Sequence, residues 1–321
     1  MTPRLPAHVK ETEHSVLENQ TQTDPPPVAA PAPAKTYTVI PLRHPWRWIT
    51  AALVLAVLGF VGKAFLAADI DYAVVLKYLT SAGILAGVRN TLVLLLASMG
   101  VGLVLGVLTA VMCQSPNPVL RWVGGGYVWL FRGTPLLVQL LIWFNLSIIF
   151  ENFSIPGLFS IPMNTLMTPF VAALLGLGIN EGAYISEIVR GGILSVDHGQ
   201  REAASAIGMS RAKTMRRIVL PQAMRVIVPP LGNEFIACLK FTSLAYTISY
   251  SELLHSANKI YTANFKVIEL LFTAALWYIA LTTVFSLFQQ LLEDRLSRGV
   301  PGARTGFLDR LRRNLSLRRA S

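Results

Sequence analysis

Two groups of ionisable and amide side chains stand inside long apolar runs: Asn180, Glu181 and Glu187 in one, Asn233, Glu234 and Lys240 in another. A charge at the centre of a bilayer costs roughly 2.5 to 3.5 kcal/mol on insertion scales, so such residues are functional candidates by default. Carboxylates, amides and an ammonium within such runs serve either to line a polar path or to hydrogen-bond between helices. The candidate path residues are Asn180, Glu181, Asn233 and Lys240, with Thr242 just beyond. Glu181 and Lys240 are expected at comparable depth, pairing across the bundle when the path is empty, if the second helix restarts after Pro229-Pro230. Interhelical hydrogen bonding is the competing role for Asn180, Glu181 and Lys240. Glu187 and Arg190, near the cytoplasmic end, read as structural or interfacial anchors.

Other chemistry lacks its residues. The histidines His8, His14, His44, His198 and His255 form no H-x-x-x-H or H-E-x-x-H cluster, and no metal is expected. Cys113 and Cys238 both lie in apolar runs, which argues against a disulfide framework and against a thiolate metal site. "GFVGK" at Gly59 to Lys63 is the nearest approach to a phosphate loop, but it lacks the required spacing and lies in an apolar run. Nothing pairs a nucleophile with a base. The chain does not read as an enzyme.

Those residues need elements that hold them in a membrane. The chain is 53% hydrophobic and 14% charged, with mean hydropathy +0.52, whereas soluble domains carry about 25% charged residues. Runs long enough to span a bilayer lie at about 47–68, 88–113, 128–150, 168–190, 226–250 and 268–292. The fold class expected is an all-α polytopic bundle of about six transmembrane helices. Six spans put both ends on one side, and the charges say which. The loops at about 69–87, 151–167 and 251–266 hold three lysines against four acids. Arg190 to Arg225 holds seven basic residues and two acids, and the stretch from Arg295 to Arg319 adds eight arginines. Basic segments stay cytoplasmic. Their placement accounts for the net charge of +11 without nucleic acid. Residues 1–45, with "PPPVAAPAPAK", read as a disordered Pro-rich tail. They do not read as a signal peptide, because the first apolar run starts near Trp48.

Ser98, Gly102, Gly106 and Ala110 repeat a small residue every fourth position, which allows close helix approach, either within one bundle or between subunits. The hydrophilic insert "EAASAIGMSRAKTMRRIVLP", Glu202 to Pro221, is different in kind. Ser195 and Asp197 are good N-caps, with Gln200 placed as in a capping box. Gly208 suits a helix end, and Ser210 can cap a second helix that Leu220-Pro221 should end. On it Ala212, Met215, Ile218 and Val219 share one face, and Arg211, Lys213, Arg216 and Arg217 lie elsewhere. Such a pair could lie on anionic headgroups or dock to another protein.

Glu202, Ala203, Ala204, Gly208, Ile218, Leu220 and Pro221 together resemble the cytoplasmic coupling loop of ATP-binding-cassette (ABC) importer permeases. "FRGTPLLVQL", with Arg132, Gly133, Thr134 and Pro135, resembles the hallmark of their polar amino-acid branch, the histidine/glutamine/arginine type. "AYISEIVRGGI" and "PPLGNEFIACLKFTSL" resemble the segments entering and leaving the loop. The resemblance covers about residues 85 to 292. The branch commonly has five spans, so the helix at about 47–68 is an addition, and Phe241 stands where the branch often has Asp or Asn. In "RGTP", Arg132 is placed near the cytoplasmic entrance, with Thr134 and Pro135 shaping the helix start. The resemblance implies a multi-pass permease of the bacterial inner membrane with both termini cytoplasmic. Its implied partners are ABC ATPase subunits that bind ATP and Mg, a second permease subunit, a solute-binding protein and an amino acid. It implies no cofactor on this chain. The division expected is a tail at 1–45, an extra helix and external loop at 46–84, the permease body at 85–293 and a basic tail at 294–321. The alternative is a secondary transporter or channel driven by an ion gradient; it would show repeated halves, and no repeat relates 85–190 to 190–292.

Overall fold

Apolar runs without access to water satisfy their backbone groups internally, and helices are the simplest way to do so. The computed structural model describes residues 45–155, 157 and 159–296. Most of the expected Pro-rich and basic tails therefore lies outside the described residues. The chain divides into two compact units, one ending at Ala64 and one beginning at Phe65. The first contains most of α1 (Pro45–Ala67), with proline at its first position, where the missing N–H is not needed.

The second unit is a helical bundle. Its elements are α2 (Tyr72–Leu79), α3 (Ala82–Cys113), α4 (Pro118–Gly133), α5 (Leu136–Phe144), α6 (Met163–Leu166) and α7 (Pro169–Leu194). After a hydrophilic excursion of α8 (His198–Ala206) and α9 (Arg211–Thr214) come α10 (Leu220–Phe241), α11 (Leu253–Asn264) and α12 (Val267–Leu296). Between α5 and α6, β1 (Asn152–Ile155) and β2 (Phe159–Pro162) form a two-stranded antiparallel hairpin. It is the exception to an otherwise helical polytopic fold, and the sequence reading had no strand there.

By length and composition α1, α3 and α12 each suffice to cross a membrane, as do α4 and α5 taken together. α7 and α10 are 26 and 22 residues long. At 1.5 Å per residue the shorter is roughly 33 Å, which also matches a hydrocarbon core. Their ionisable side chains are what lower their hydropathy.

α3 and α7 form the spine, and small residues are the reason they lie so close. A Cβ at Gly102 would come within 2.9 Å of Glu181 Cβ, and one at Gly106 within 2.6 Å of Ile185 Cγ2. Gly178 and Gly182 answer from α7, meeting Val101 and Leu105. The small-residue stripe of α3 is thus used within the chain. Toward the hydrophilic excursion, Leu95 and Met99 join Ile185, Val189 and Ile227 in one core cluster. A second cluster gathers Leu140, Ala173, Leu177 and Ile248. A third ties Ile84 and Val88 of α3 to Leu253 of α11 and Leu270 of α12.

Three expectations about helix ends are corrected. The span placed at about 128–150 starts earlier, at Pro118, and is broken between α4 and α5 with a bend of 102°. Pro221 does not end the second helix of the excursion. Met215–Val219 forms a π turn, Leu220 N–H bonds Met215 O, and the chain passes directly into α10. The wider turn relieves the clash that proline makes with the carbonyl four residues back. Nor does the helix restart after Pro229-Pro230, since both lie inside α10. An internal proline costs about 3 kcal/mol, and packing on two sides offsets it. Ile227 sits against α7 at Gly192, and the Phe235 and Phe285 rings meet at 4.9 Å.

Candidate functional site

The break between α4 and α5 begins with local chemistry. Pro135 has no N–H and forces the preceding residue out of helical geometry; Thr134 is extended, at φ −115° and ψ 143°. Carbonyls that would have bonded onward lose their helical partners inside a span, where an unsatisfied group shielded from water costs several kcal/mol. Two amides meet that need. Gln139 Nε2 donates to Phe131 O at 2.9 Å, Thr134 O at 3.1 Å and Thr134 Oγ1 at 2.8 Å. From α7, Asn180 Nδ2 donates to Phe131 O at 3.0 Å and to Gln139 Oε1 at 3.2 Å. Asn180 is therefore a clamp on the break, the interhelical alternative expected for it.

The break opens a cavity of about 590 Å³, whose wall includes Arg132, Gly133, Thr134, Pro135, Asn180 and Glu181. Glu181 is 1% exposed, and its Oε2 has no hydrogen-bond partner among the described residues. Glu234 of α10 and Tyr184 of α7 complete the polar lining, and Phe241 closes one side. The Arg132 guanidinium lies 5.0 Å over the Tyr184 ring, a cation–π distance, and 3.9 Å from Glu187 Oε2. Glu187 is held more firmly by Arg190, through bonds of 3.0 and 2.6 Å. The wall thus carries one guanidinium and two carboxylates around a space the size of a small solute.

The other expected path residues lie elsewhere. Asn233 is exposed and accepts from Gln289 Nε2 of α12 at 3.0 Å. Thr242 is buried and donates to Leu239 O at 2.7 Å, one turn back along its own chain. Lys240 is exposed and lines a different cavity, of about 510 Å³, between α10 and α12. The pairing expected between Glu181 and Lys240 is not made: no ion pair joins them among the described residues. Because α10 is unbroken at its prolines, its helical phase presents Glu234 to the Glu181 cavity and turns Lys240 away. Gln139, Tyr184 and Glu234 were absent from the candidate site. Gln139 lies inside the "FRGTPLLVQL" stretch, and Glu234 was visible as an acid within a span.

The hydrophilic excursion is built by its caps. Asp197 Oδ1 accepts from Gly199 N–H at 2.7 Å and starts α8. At its end Gly208 takes φ +73°, and Met209 N–H reaches Ala204 O at 3.0 Å while Gly208 N–H reaches Ser205 O at 3.0 Å. That reciprocal pair is a Schellman ending, which favours glycine at the left-handed position. Ser210 Oγ then accepts from Lys213 N–H and opens α9. Ala204 and Val219 are buried. Glu202, Ala203 and Gly208 are exposed, as are Leu220 and Pro221, and Ile218 is half-buried. Glu202 makes an exposed contact with His198 Nδ1 at 3.1 Å. Arg201 donates to Ile193 O, fastening α8 to the end of α7. The result is a rigid projection with Glu202, Ala203 and Ile207 outward.

A broken span around a polar cavity, joined to a capped hydrophilic projection, is an arrangement suited to a transport subunit. Residues 102–298 match the family model described as "Binding-protein-dependent transport system inner membrane component", and the chain belongs to that family. It is the multi-pass, non-enzymatic transmembrane subunit of an ABC importer, with ATP hydrolysis residing on a separate subunit. The chain is 41% identical to an arginine transport system permease protein of Corynebacterium glutamicum, over 85% of this chain and 87% of that one. A match of that extent reaches into α1, ahead of the family-model region. An L-cystine transport system permease protein of Bacillus subtilis is 41% identical over 67% of this chain and 86% of its own length. A glutamine transport system permease protein of Escherichia coli is 35% identical, over 66% and 92%. Among solved structures, a crystal structure of an amino acid ABC transporter with histidines superposes with TM-score 0.62 at 34% identity. It covers 71% of this chain and all of its own.

Proposed function

We propose that this permease carries cationic amino acids from an external solute-binding protein to the cytoplasm, in step with ATP hydrolysis by a partner subunit. The observation that carries the reading is the cavity at the helix break. Arg132 offers a partner to an α-carboxylate. Glu181 and Glu234 offer two partners to ammonium groups, and Glu181 has an oxygen to spare. With Arg132 already drawn toward Glu187, the balance of the wall is negative, which suits a substrate with a second positive group. The names of the relatives, arginine, cystine and glutamine permeases, support the amino-acid class.

The coupling role falls to Glu202, Ala203, Ala204, Gly208, Ile218, Leu220 and Pro221, which would seat in an ATPase subunit holding ATP and Mg. The projection and the segment at 294–321 would face the cytoplasm, as their basic excess favours, and six spans would put 1–45 on the same side. The permease body would run over 85–293, with 46–84 an added helix and external loop. A second permease subunit has a place as well. Lys240, Thr283 and Gln290 are exposed within spans, and hydrocarbon is a poor neighbour for them. A polar face of that kind fits the wall of a path shared between two permeases, which keeps Lys240 a path residue by a different route.

The test is purification with native partners, reconstitution in proteoliposomes, and ATP hydrolysis measured with binding protein loaded with arginine, glutamine or glutamate. Arginine should stimulate most, and Glu181→Gln should remove that preference. Uptake that persists without any ATPase subunit would overturn the reading in favour of an ion-driven carrier.

A further inference from the structure

The hairpin between α5 and α6 has two chemically different faces. Phe153 stands opposite Ile161 and Ile155 opposite Phe159 in the antiparallel register, so these four side chains share one face. Ser154 and Ser160 stand opposite each other on the other face, with hydroxyl oxygens 2.8 Å apart. The Phe153 and Phe159 rings are 6.1 Å apart across the strands. Yet Phe153, Ile155 and Phe159 remain 45%, 42% and 41% exposed. Apolar side chains so ordered, and left open, have a neighbour still to come.

Chain continuity and charge indicate what that neighbour is. The chain reaches the hairpin from Val138 and Ile142, one turn apart on α5, then Ile148, Ile149 and Phe150, all exposed and apolar. In a span, an exposed apolar surface suits hydrocarbon, and the hairpin face continues it. From Asn152 to Asn180 there is no ionisable side chain, and the nearest charge in sequence, exposed Glu151, lies just ahead of β1, so the apolar face itself offers no charge complementarity to a protein partner. We propose that the hairpin is a lipid-resting foot, with its Phe153/Ile155/Phe159 face in the outer leaflet at the boundary of headgroups and acyl chains. Ser154 and Ser160 face water. Depth is limited by the backbone: a two-stranded sheet has open edges whose N–H and C=O groups need water, so it cannot sink into hydrocarbon. Residues 145–151, with a 3-10 turn at Leu146–Ile148, join the foot to α5, so the foot restrains the outer end of the helix that forms one side of the break. The outer-leaflet placement rests on the external position of this loop under the proposed topology.

The test uses the assembled transporter in nanodiscs, with Cys113 and Cys238 replaced by Ser. A single cysteine is placed at Ser154→Cys, Ile155→Cys or Phe159→Cys and labelled with an environment-sensitive fluorophore. Labels at 155 and 159 should emit blue-shifted light and be quenched by lipids spin-labelled near the glycerol end of the acyl chain. The label at 154 should do neither. Equal, weak quenching at all three positions overturns the proposal, and so does shielding of 155 and 159 by added binding protein in place of lipid. Using two positions on one face guards against a single variant that fails to assemble. Sidedness is read separately, by an impermeant maleimide on intact cells carrying Ser154→Cys. Lipid quenching together with labelling only after permeabilisation would overturn the topology and the outer-leaflet assignment while leaving the membrane contact standing.

Discussion

At Pro135 the chain between α4 and α5 turns through 102°, whereas α10 runs through Pro229 and Pro230 without a break. Proline count alone would assign these outcomes the other way round. Two surroundings explain the difference. Beside Pro135, Gly133 and an extended Thr134 give the backbone freedom to turn, and Gln139 and Asn180 accept the cost by donating to the freed carbonyls. Beside Pro229, α10 is gripped by α7 at Gly192 and by α12, where Gln289 Nε2 reaches Pro229 O at 3.2 Å. A proline in a span breaks it where side-chain donors stand ready and where no neighbour holds the helix straight.

The largest effect should come from removing a donor at the break. Asn180→Leu leaves Phe131 O with fewer partners and is expected to cost about 1 to 3 kcal/mol. It should lower the thermal midpoint in detergent and abolish uptake; an unchanged midpoint would mean the clamp is not needed. Next is Pro135→Ala, which restores an N–H and allows the helix to straighten. Uptake should fall to background while the midpoint holds or rises, as measured by substrate flux and thermal unfolding on the same preparation. Gly208→Asp tests a bend whose geometry is set by its own residue and not by neighbours. A side chain at φ +73° strains the Schellman turn by about 1 kcal/mol, and its negative charge adds to the exposed surface beside α8. Membrane insertion should be retained and ATP-coupled uptake lost, and normal coupled uptake would sink the docking role of α8. The smallest effect belongs to Pro230→Ala. With α10 already straight, uptake should be unchanged and stability equal or slightly higher, and a large loss would show that this proline is a working hinge.

How much of this was legible beforehand follows from the range of each interaction. Asp197, Gly208 and Ser210 were readable as caps because a cap involves only the next few residues. Most of the span positions were readable because hydropathy is a local sum; the one expected at about 128–150 was not, because it starts at Pro118 and breaks before α5. Pro135 and Pro229 could not be ranked, since their outcomes depend on Gln139, Asn180 and Gln289, the last two on distant helices. The phase of Lys240 was lost for the same reason, once α10 had been expected to restart at its prolines. The hairpin did leave a signal in the Pro156-Gly157 turn pair between Ile155 and Phe159, but strands of four residues are too short for alternation to stand out.

The π turn at Met215–Val219 has a mechanical consequence. Because it joins α9 to α10 without a gap, Arg211 to Phe241 is a single hydrogen-bonded rod. Its 31 residues make it roughly 45 Å long at 1.5 Å per residue. Glu234 rides about 35 Å along it, at the wall of the cavity. A rod of that length works as a lever: a tilt of about 5° at its α9 end would sweep Glu234 sideways by about 3 Å, close to the length of a hydrogen bond. The gearing between the hydrophilic excursion and the charged wall of the cavity is thus set by one continuous stretch of backbone, whose regular bonding is altered at the π turn and at Pro229-Pro230.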